Sequence, residues 1–427
     1  MGNANLLELA AVGAVAFLGM AVLFAIPLRY RQLVLAYAVG ASAGLVGVQV
    51  LRIHVFTLLV VLWLLLAARQ SDKEGAGSAV VLGACSLVLG GTALMGDLVN
   101  SPTLALQLIG LTASAIIIIL GTVKVDRDRM LVGLLAVVSL ASLVGLSQVT
   151  GIIPMDLWHL DVSSIGRPTG IYPEPDWLGM FAGIGVILAW LIPMPWGLRS
   201  ALLVLNVSAL VLAFARAAWV AVVVAAVLGA IVFLLRGRSK PSERVRTGRA
   251  IAVVVVAVVG AIAFSVNTAL RNDVIVRVGT MMGTNPDPDD ISGQARVRQT
   301  NLLLDLASDI PPWGHGLSAS GRVGVWGDFV TGESTNNVAS NWLLAMWVDG
   351  AFLALPLILF LAWACIRGTR SIAGMALIVT LVSSLFSNAT YFPITWMLLA
   401  ITVAGFNAKQ VEAIQVLPMS KGALARS

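Results

Sequence analysis

Charge is scarce in this chain. Of 427 residues, 11% are Asp, Glu, Lys or Arg and 59% are apolar. Soluble domains carry about 25% charged residues, so a water-exposed globular fold is excluded. Cysteine is nearly absent. Cys85 and Cys365 each lie inside an apolar run and form no metal or redox motif. The three histidines, His54, His159 and His315, have no metal-ligand spacing and no accompanying carboxylate cluster. There is no phosphate-binding loop or dinucleotide fingerprint, so ATP-driven work is unsupported. The acidic run NPDPDD (285–290) lacks the ligand spacing of a calcium loop and reads as a solvated turn. No metal and no cofactor are expected.

What the chain does have is apolar runs, and ~20 such residues suffice to cross a bilayer. The runs are continuous, unlike the alternating ~10-residue segments of an outer-membrane barrel. They predict an all-α fold, a polytopic helical membrane protein. Thirteen candidate spans lie near 5–28, 33–50, 53–68, 77–95, 103–122, 130–146, 178–192, 200–215, 217–235, 250–270, 350–366, 372–387 and 392–407. The first lacks a basic leader and is long enough to span, so it reads as a retained helix rather than a cleaved signal. Residues 1–146 are expected to be N-terminal transmembrane helices. Residues 147–427 are expected to carry the function, with a large outer loop over 271–349.

Cations concentrate in cytoplasmic loops of membrane proteins. Sorting the loops by that rule leaves only eight of the 27 cations outside, all of them arginine: Arg52, Arg167, Arg216, Arg271, Arg277, Arg296, Arg298 and Arg322. Fifteen of the 21 acids fall outside with them. The net charge of +6 is thus explained by topology and does not call for a nucleic-acid partner. Lysine's absence from the outer face leaves only the planar guanidinium there, a fork suited to phosphate.

Three stretches stand out. RPTGIYPEPDWLG (167–179) puts Arg167, Glu174 and Asp176 among helix breakers at the lip of a span. FARAAW sets Arg216 between two spans with almost no loop, where a charge is costly unless paired or snorkelling. It either caps that turn or aims into an outer cavity. The third stretch, 292–318, reads as an amphipathic helix over 295–308, stopped by Pro311 and Pro312 and followed by a GHG turn around His315. Arg296 and Arg298 lie in its first turns. The segment 332–350 then brings Glu333, Ser340 and Asn341 to a membrane lip, with Trp342 and Trp347 expected in an interfacial aromatic belt.

Together these motifs run R-x-T-G-I-Y-P-E-P-x-x-L-G, F-A-R-A-A-W, R-(x)17-G-x-G and A-x-N-x-x-L-x-x-x-x-x-G. In that order, over roughly residues 165–405, the chain resembles the O-antigen ligase/polymerase (Wzy-type) superfamily of bacterial membrane glycosyltransferases. The resemblance implies a multi-pass protein of the cytoplasmic membrane with its active site on the outer face. The family joins a glycan carried on undecaprenyl diphosphate to an acceptor glycan, lipid or protein, without nucleotide sugar and without an essential metal. Partners implied are the lipid-linked donor, the acceptor, membrane lipids and other polysaccharide-assembly proteins. Arg216 and Arg296 match the family's arginines, with Arg298 and Arg167 beside them as donor-binding residues. One position departs: where ligases have a histidine before the asparagine, this chain has Ser340. A hydroxyl is a poor base at neutral pH. The E-P sequence at Glu174 resembles the polymerase branch, which favours a polymerase over a ligase, with a lipid-linked glycan transporter as the rival outside the class. Glu174 is the expected base, ionised with help from Arg167 upstream; its alternative is an ordinary acid at a helix start. Asp176 reads as an N-cap. His315, Glu333 and Asn341 complete the expected substrate contacts.

Overall fold

The computed structural model describes residues 27–46, 49–50, 53–67, 75–95, 101–155, 166–235, 291–323 and 338–415. The first helix, α1, spans Leu28–Ala43, and a two-residue antiparallel pair follows, β1 (Gln49–Val50) with β2 (Ile53–His54). Then come α2 (Val55–Ala67), α3 (Ala76–Gly91), α4 (Ser101–Gly121), α5 (Lys124–Val149), α6 (Pro175–Leu191), α7 (Trp196–Leu212) and α8 (Arg216–Leu235). The remaining described helices are α9 (Ile291–Ser308), α10 (Trp342–Gly350), α11 (Leu355–Gly368), α12 (Ile372–Ser383) and α13 (Pro393–Gln415). Most expected spans within the described residues overlap one of these helices; the one at 33–50 ends early, where α1 closes at Ala43 and the β1–β2 pair follows. The runs at 5–28 and 250–270 fall mostly or wholly outside the described residues.

Among the described residues, three stretches are long and apolar enough to cross a membrane: Ala76–Leu94, Pro102–Gly121 and Lys124–Val149, at 19, 20 and 26 residues. Shorter apolar helices make up most of the rest, α1 and α9 excepted. Their ends are set by proline. Pro175 opens α6 at a first-turn position, where its missing N–H costs nothing. At the other end, Pro193 and Pro195 stop α6 and start α7. The expected span at 350–366 needs correction. The helix begins earlier, at Trp342, and is broken at Ala351, whose φ of 42° no helix accommodates. The break makes α10 a separate short helix ahead of α11.

The core is a bundle in which α1 packs on α2 and α5, α5 on α6 and α7, and α12 on α6, α8 and α13. Glycine allows the closest of these crossings. A Cβ at Gly40 would run into the Met130 carbonyl and one at Gly133 into that of Tyr37, so α1 and α5 meet backbone to backbone. Between α5 and α7 the contact is polar. Asn206 donates to Ser139 Oγ at 3.0 Å and accepts from Ser142 Oγ at 2.9 Å. These bonds satisfy an amide that apolar surroundings would otherwise leave costly.

Side-chain bonds define two ends of the bundle. At one, Gln148 near the close of α5 reaches the backbone before α6. At the other, Arg199 at the start of α7 donates to the Ile192 carbonyl after α6, at 3.2 Å. Lys124, Arg127 and Arg129 open α5 at this second end.

Candidate active site

The first end holds the lip stretch. Gln148 Oε1 accepts from the backbone N–H groups of Thr169 (3.0 Å) and Gly170 (2.8 Å), and Gly170 takes φ 62°. Tyr172 is buried and stacks on Phe181 of α6 with ring centres 4.4 Å apart. The prolines and this anchoring hold the lip in a fixed non-helical path into α6. Glu174 is the residue that caps α6: its backbone is extended, its side chain makes no capping bond, and it is exposed. Asp176 therefore sits second in the helix, within its first turn, rather than at the N-cap expected for it.

Asp176 has a specific partner. Arg167 Nη2 meets its Oδ1 at 2.5 Å, while Arg167 Nε donates to the Ala213 carbonyl at 2.8 Å. One guanidinium thus ties the start of α6 to the end of α7. The arginine expected to support Glu174 is paired with Asp176 two residues on.

Ala213, Phe214 and Ala215 make the turn from α7 to α8, with Phe214 in the left-handed region at φ 48°. Arg216 follows as the first residue of α8 and is half-buried. Trp219 Nε1 donates back to the Leu210 carbonyl at 2.9 Å and braces the turn. Gly179 of α6 faces it: a Cβ there would run into Ala215. Arg167, Asp176 and the turn carrying Arg216 are thereby held together.

A second group lies on α9 and α10. Arg296 is within α9, and Arg298 is exposed on it. Gln299 beside them is buried. Its Nε2 donates to the Val323 carbonyl (2.7 Å), and its Oε1 accepts from Ser340 N–H (3.3 Å). Asn341 caps α10, its Oδ1 accepting from Leu343 N–H (3.0 Å) and Leu344 N–H (3.2 Å). The GHG turn rests on the far end of α10. His315 N–H donates to the Val348 carbonyl (2.9 Å) and Gly316 N–H to that of Asp349 (3.0 Å). The His315 ring Nε2 lies 2.9 Å from the Leu306 carbonyl, which fixes that nitrogen as the protonated one. Gly314, at φ 81°, approaches the Asp349 carbonyl so closely that a side chain would not fit. Glu333 lies outside the described residues.

Trp342 corrects the aromatic-belt expectation. It is buried, and its indole Nε1 donates to the Leu381 carbonyl at 3.0 Å. It docks α10 on the end of α12.

The connection 384–392 links the two groups. Asn388 Nδ2 donates to the Ala339 carbonyl at 2.9 Å, while Phe392 meets Trp177 of α6 edge to face at 4.6 Å. Sequence reasoning passed over Gln299, Asn388 and Asp349. Asp349 is fully buried, its Oδ1 accepting from Ser320 N–H at 2.7 Å. The signal for it was a carboxylate inside the apolar run LLAMWVDGAFL, an expensive placement that marks a specific role.

A comparison with curated proteins finds no match. The family model described as O-antigen ligase matches residues 201–350, about a third of the chain, from early α7 through the end of α10. That stretch contains Arg216, Arg296, Arg298, His315 and Asn341, in the order on which the resemblance rests. Over this stretch the chain is similar to the O-antigen ligase family, which supports the resemblance to the O-antigen ligase/polymerase superfamily.

Proposed function

We propose that this protein is a polymerase of lipid-linked glycans, working at the outer face of the cytoplasmic membrane. The donor is an oligosaccharide on undecaprenyl diphosphate. The acceptor is the terminal sugar of a second such molecule. The observation that carries the reading is the fixed grouping, at one end of the bundle, of Glu174, the Arg167–Asp176 pair and the Arg216 turn. It adjoins a stretch matched by the O-antigen ligase family.

In the reaction the acceptor hydroxyl oxygen bonds to the anomeric carbon of the donor. The bond from that carbon to the diphosphate oxygen breaks, and the diphosphate leaves with the electron pair. Arg216 and Arg296 stabilise the charge that develops on it, and Arg298 adds to the field. Glu174 takes the acceptor proton as general base. Its exposed position at the start of α6 lets a bulky sugar approach. Metal and nucleotide sugar have no part in this scheme.

Transfer of a finished glycan to a lipid or protein acceptor is the second reading, favoured by the description of the matched family. The two differ in product. A polymerase yields a ladder of repeat lengths on undecaprenyl diphosphate, whereas a ligase yields one transfer to a different carrier.

The test uses purified protein in nanodiscs with an undecaprenyl-diphosphate-linked oligosaccharide. Glu174→Gln keeps size and abolishes the ladder without changing donor binding. Arg216→Lys loses about 1.5–3 kcal/mol of charge-assisted bonding, because one ammonium cannot reproduce the fork. Ser340→Ala keeps substantial activity. A normal ladder from Glu174→Gln removes Glu174 as the base and passes the role to His315 or Glu333.

A further inference from the structure

Asp349 is among the most enclosed ionisable groups in the described structure, and nothing in the scheme above uses it. Its side chain is 0% exposed. Its carboxylate sits in the cradle of the 318–320 turn: Oδ1 accepts the Ser320 backbone N–H at 2.7 Å, and Oδ2 has no hydrogen-bond partner among the described residues. Ser318 adopts φ 77°, a left-handed conformation that turns successive N–H groups toward one point. A non-glycine residue holds such a backbone only where its surroundings enforce it.

What this cradle controls lies beyond it. Ser320 Oγ accepts from the Ala339 N–H at 3.4 Å. The Ala339 carbonyl is held by Asn388. Next in the chain, Ser340 N–H donates to Gln299 of α9, and Gln299 also holds Val323, whose N–H returns to the Ser320 carbonyl at 3.3 Å. The bonds close a circuit through α9, the 318–323 turn, the 339–341 segment and α10. Backbone bonds from His315 and Gly316 to Val348 and Asp349 reinforce the same junction.

We infer that Asp349 is a positioning residue: by fixing the 318–320 turn on α10 it sets the register between α9, which carries Arg296 and Arg298, and the Ser340–Asn341 start of α10. It touches no substrate. It acts through Ser320 and Gln299 on the geometry of the arginine-bearing helix, and a small misplacement of such groups costs up to about 100-fold in rate. The effect on turnover rests on the polymerase reading; the circuit itself does not.

The experiment therefore has two independent readouts. Hydrogen–deuterium exchange of the intact protein in nanodiscs reports the circuit, and ladder formation reports catalysis. Asp349→Ala is expected to speed exchange at both 317–323 and 338–342 and to lower turnover about 10–100-fold. Asp349→Asn keeps the accepting oxygen and restores protection at both segments and most of the turnover. Gln299→Leu cuts the same circuit from the α9 side, without creating an unpaired buried acid. It is expected to speed exchange at 338–342 and lower turnover, and it stands in if Asp349→Ala fails to fold. Unchanged exchange at 338–342 in Asp349→Ala overturns the proposal. So does faster exchange there, in either variant, with turnover per folded molecule unchanged. If wild-type protein makes no ladder, the polymerase reading fails while the exchange data still decide the circuit.

Discussion

Asp349 also has a consequence that is read without any substrate. Burial penalises its charged form and outweighs the N–H donors of residues 318–320, so its pKa rises from 3.8 to about 7. The unfolded chain releases this proton near pH 4, whereas the folded chain keeps it until about pH 7. Between those values the native state binds one proton more. The contribution is fully present below the unfolded pKa and is lost as pH rises to about 7, at a limiting slope of ~1.4 kcal/mol per pH unit. Thermal unfolding from pH 4.5 to 7.5, wild type against Asp349→Asn, checks this. The difference in stability between the two should fall across that window, since Asn does not titrate. A constant difference would show that Asp349 keeps an ordinary carboxylate pKa. None of this was legible from the sequence beyond the oddity of an acid in an apolar run. Its donors lie 29 residues upstream and reach it only once the chain has folded back.

At the scale of elements, the joint between α6, α7 and α8 turns on Arg167. The Arg167 and Asp176 side chains are 10% and 13% exposed. Breaking the pair should cost more than the ~0.5 kcal/mol of a surface pair and less than the ~3–5 kcal/mol of a fully buried one. Asp176→Asn tests that by thermal unfolding. The swapped double variant, Arg167→Asp with Asp176→Arg, should fail to recover stability. The Ala213 carbonyl would then face a carboxylate instead of a donor. Recovery by the swap would show that the pair alone matters. Most helices themselves were readable as apolar runs bounded by proline and charge. The exception is instructive. The run from Trp342 to Arg367 is nearly continuous in sequence, and only the Gly350–Ala351 backbone reveals that α10 and α11 are separate. Likewise, Arg167 was recognisable at the lip, but its choice of Asp176 over Glu174 depends on where α6 begins. Helix phase puts Asp176 on the side facing Arg167 and leaves Glu174 at the exposed cap.

For the whole molecule, the clearest prediction is orientation. Lys124, Arg127, Arg129, Arg199, Arg367 and Arg370 occupy the helix ends and connections away from the lip, while Arg167, Arg216 and Arg298 occupy the lip end or the α9 layer joined to it. In a background lacking Cys85 and Cys365, a cysteine at exposed Asp309 should react with an impermeant reagent on intact spheroplasts. A cysteine at exposed Arg370 should react only after permeabilisation. The reverse pattern would put the candidate site on the cytoplasmic face and end the lipid-linked donor scheme. Composition by itself determined that this is a helical membrane protein, because so few charges cannot clothe a soluble surface of this size. The motif order carried the resemblance to the O-antigen ligase family, because the residues that bear it are read along the chain. The tertiary structure alone decided which groups meet. Arg167 finds Ala213 across 46 residues and Gln299 finds Ser340 across 41. Those encounters are fixed by how the helices pack, since a single polar group buried among apolar side chains must take whichever partner the packing brings within hydrogen-bond reach.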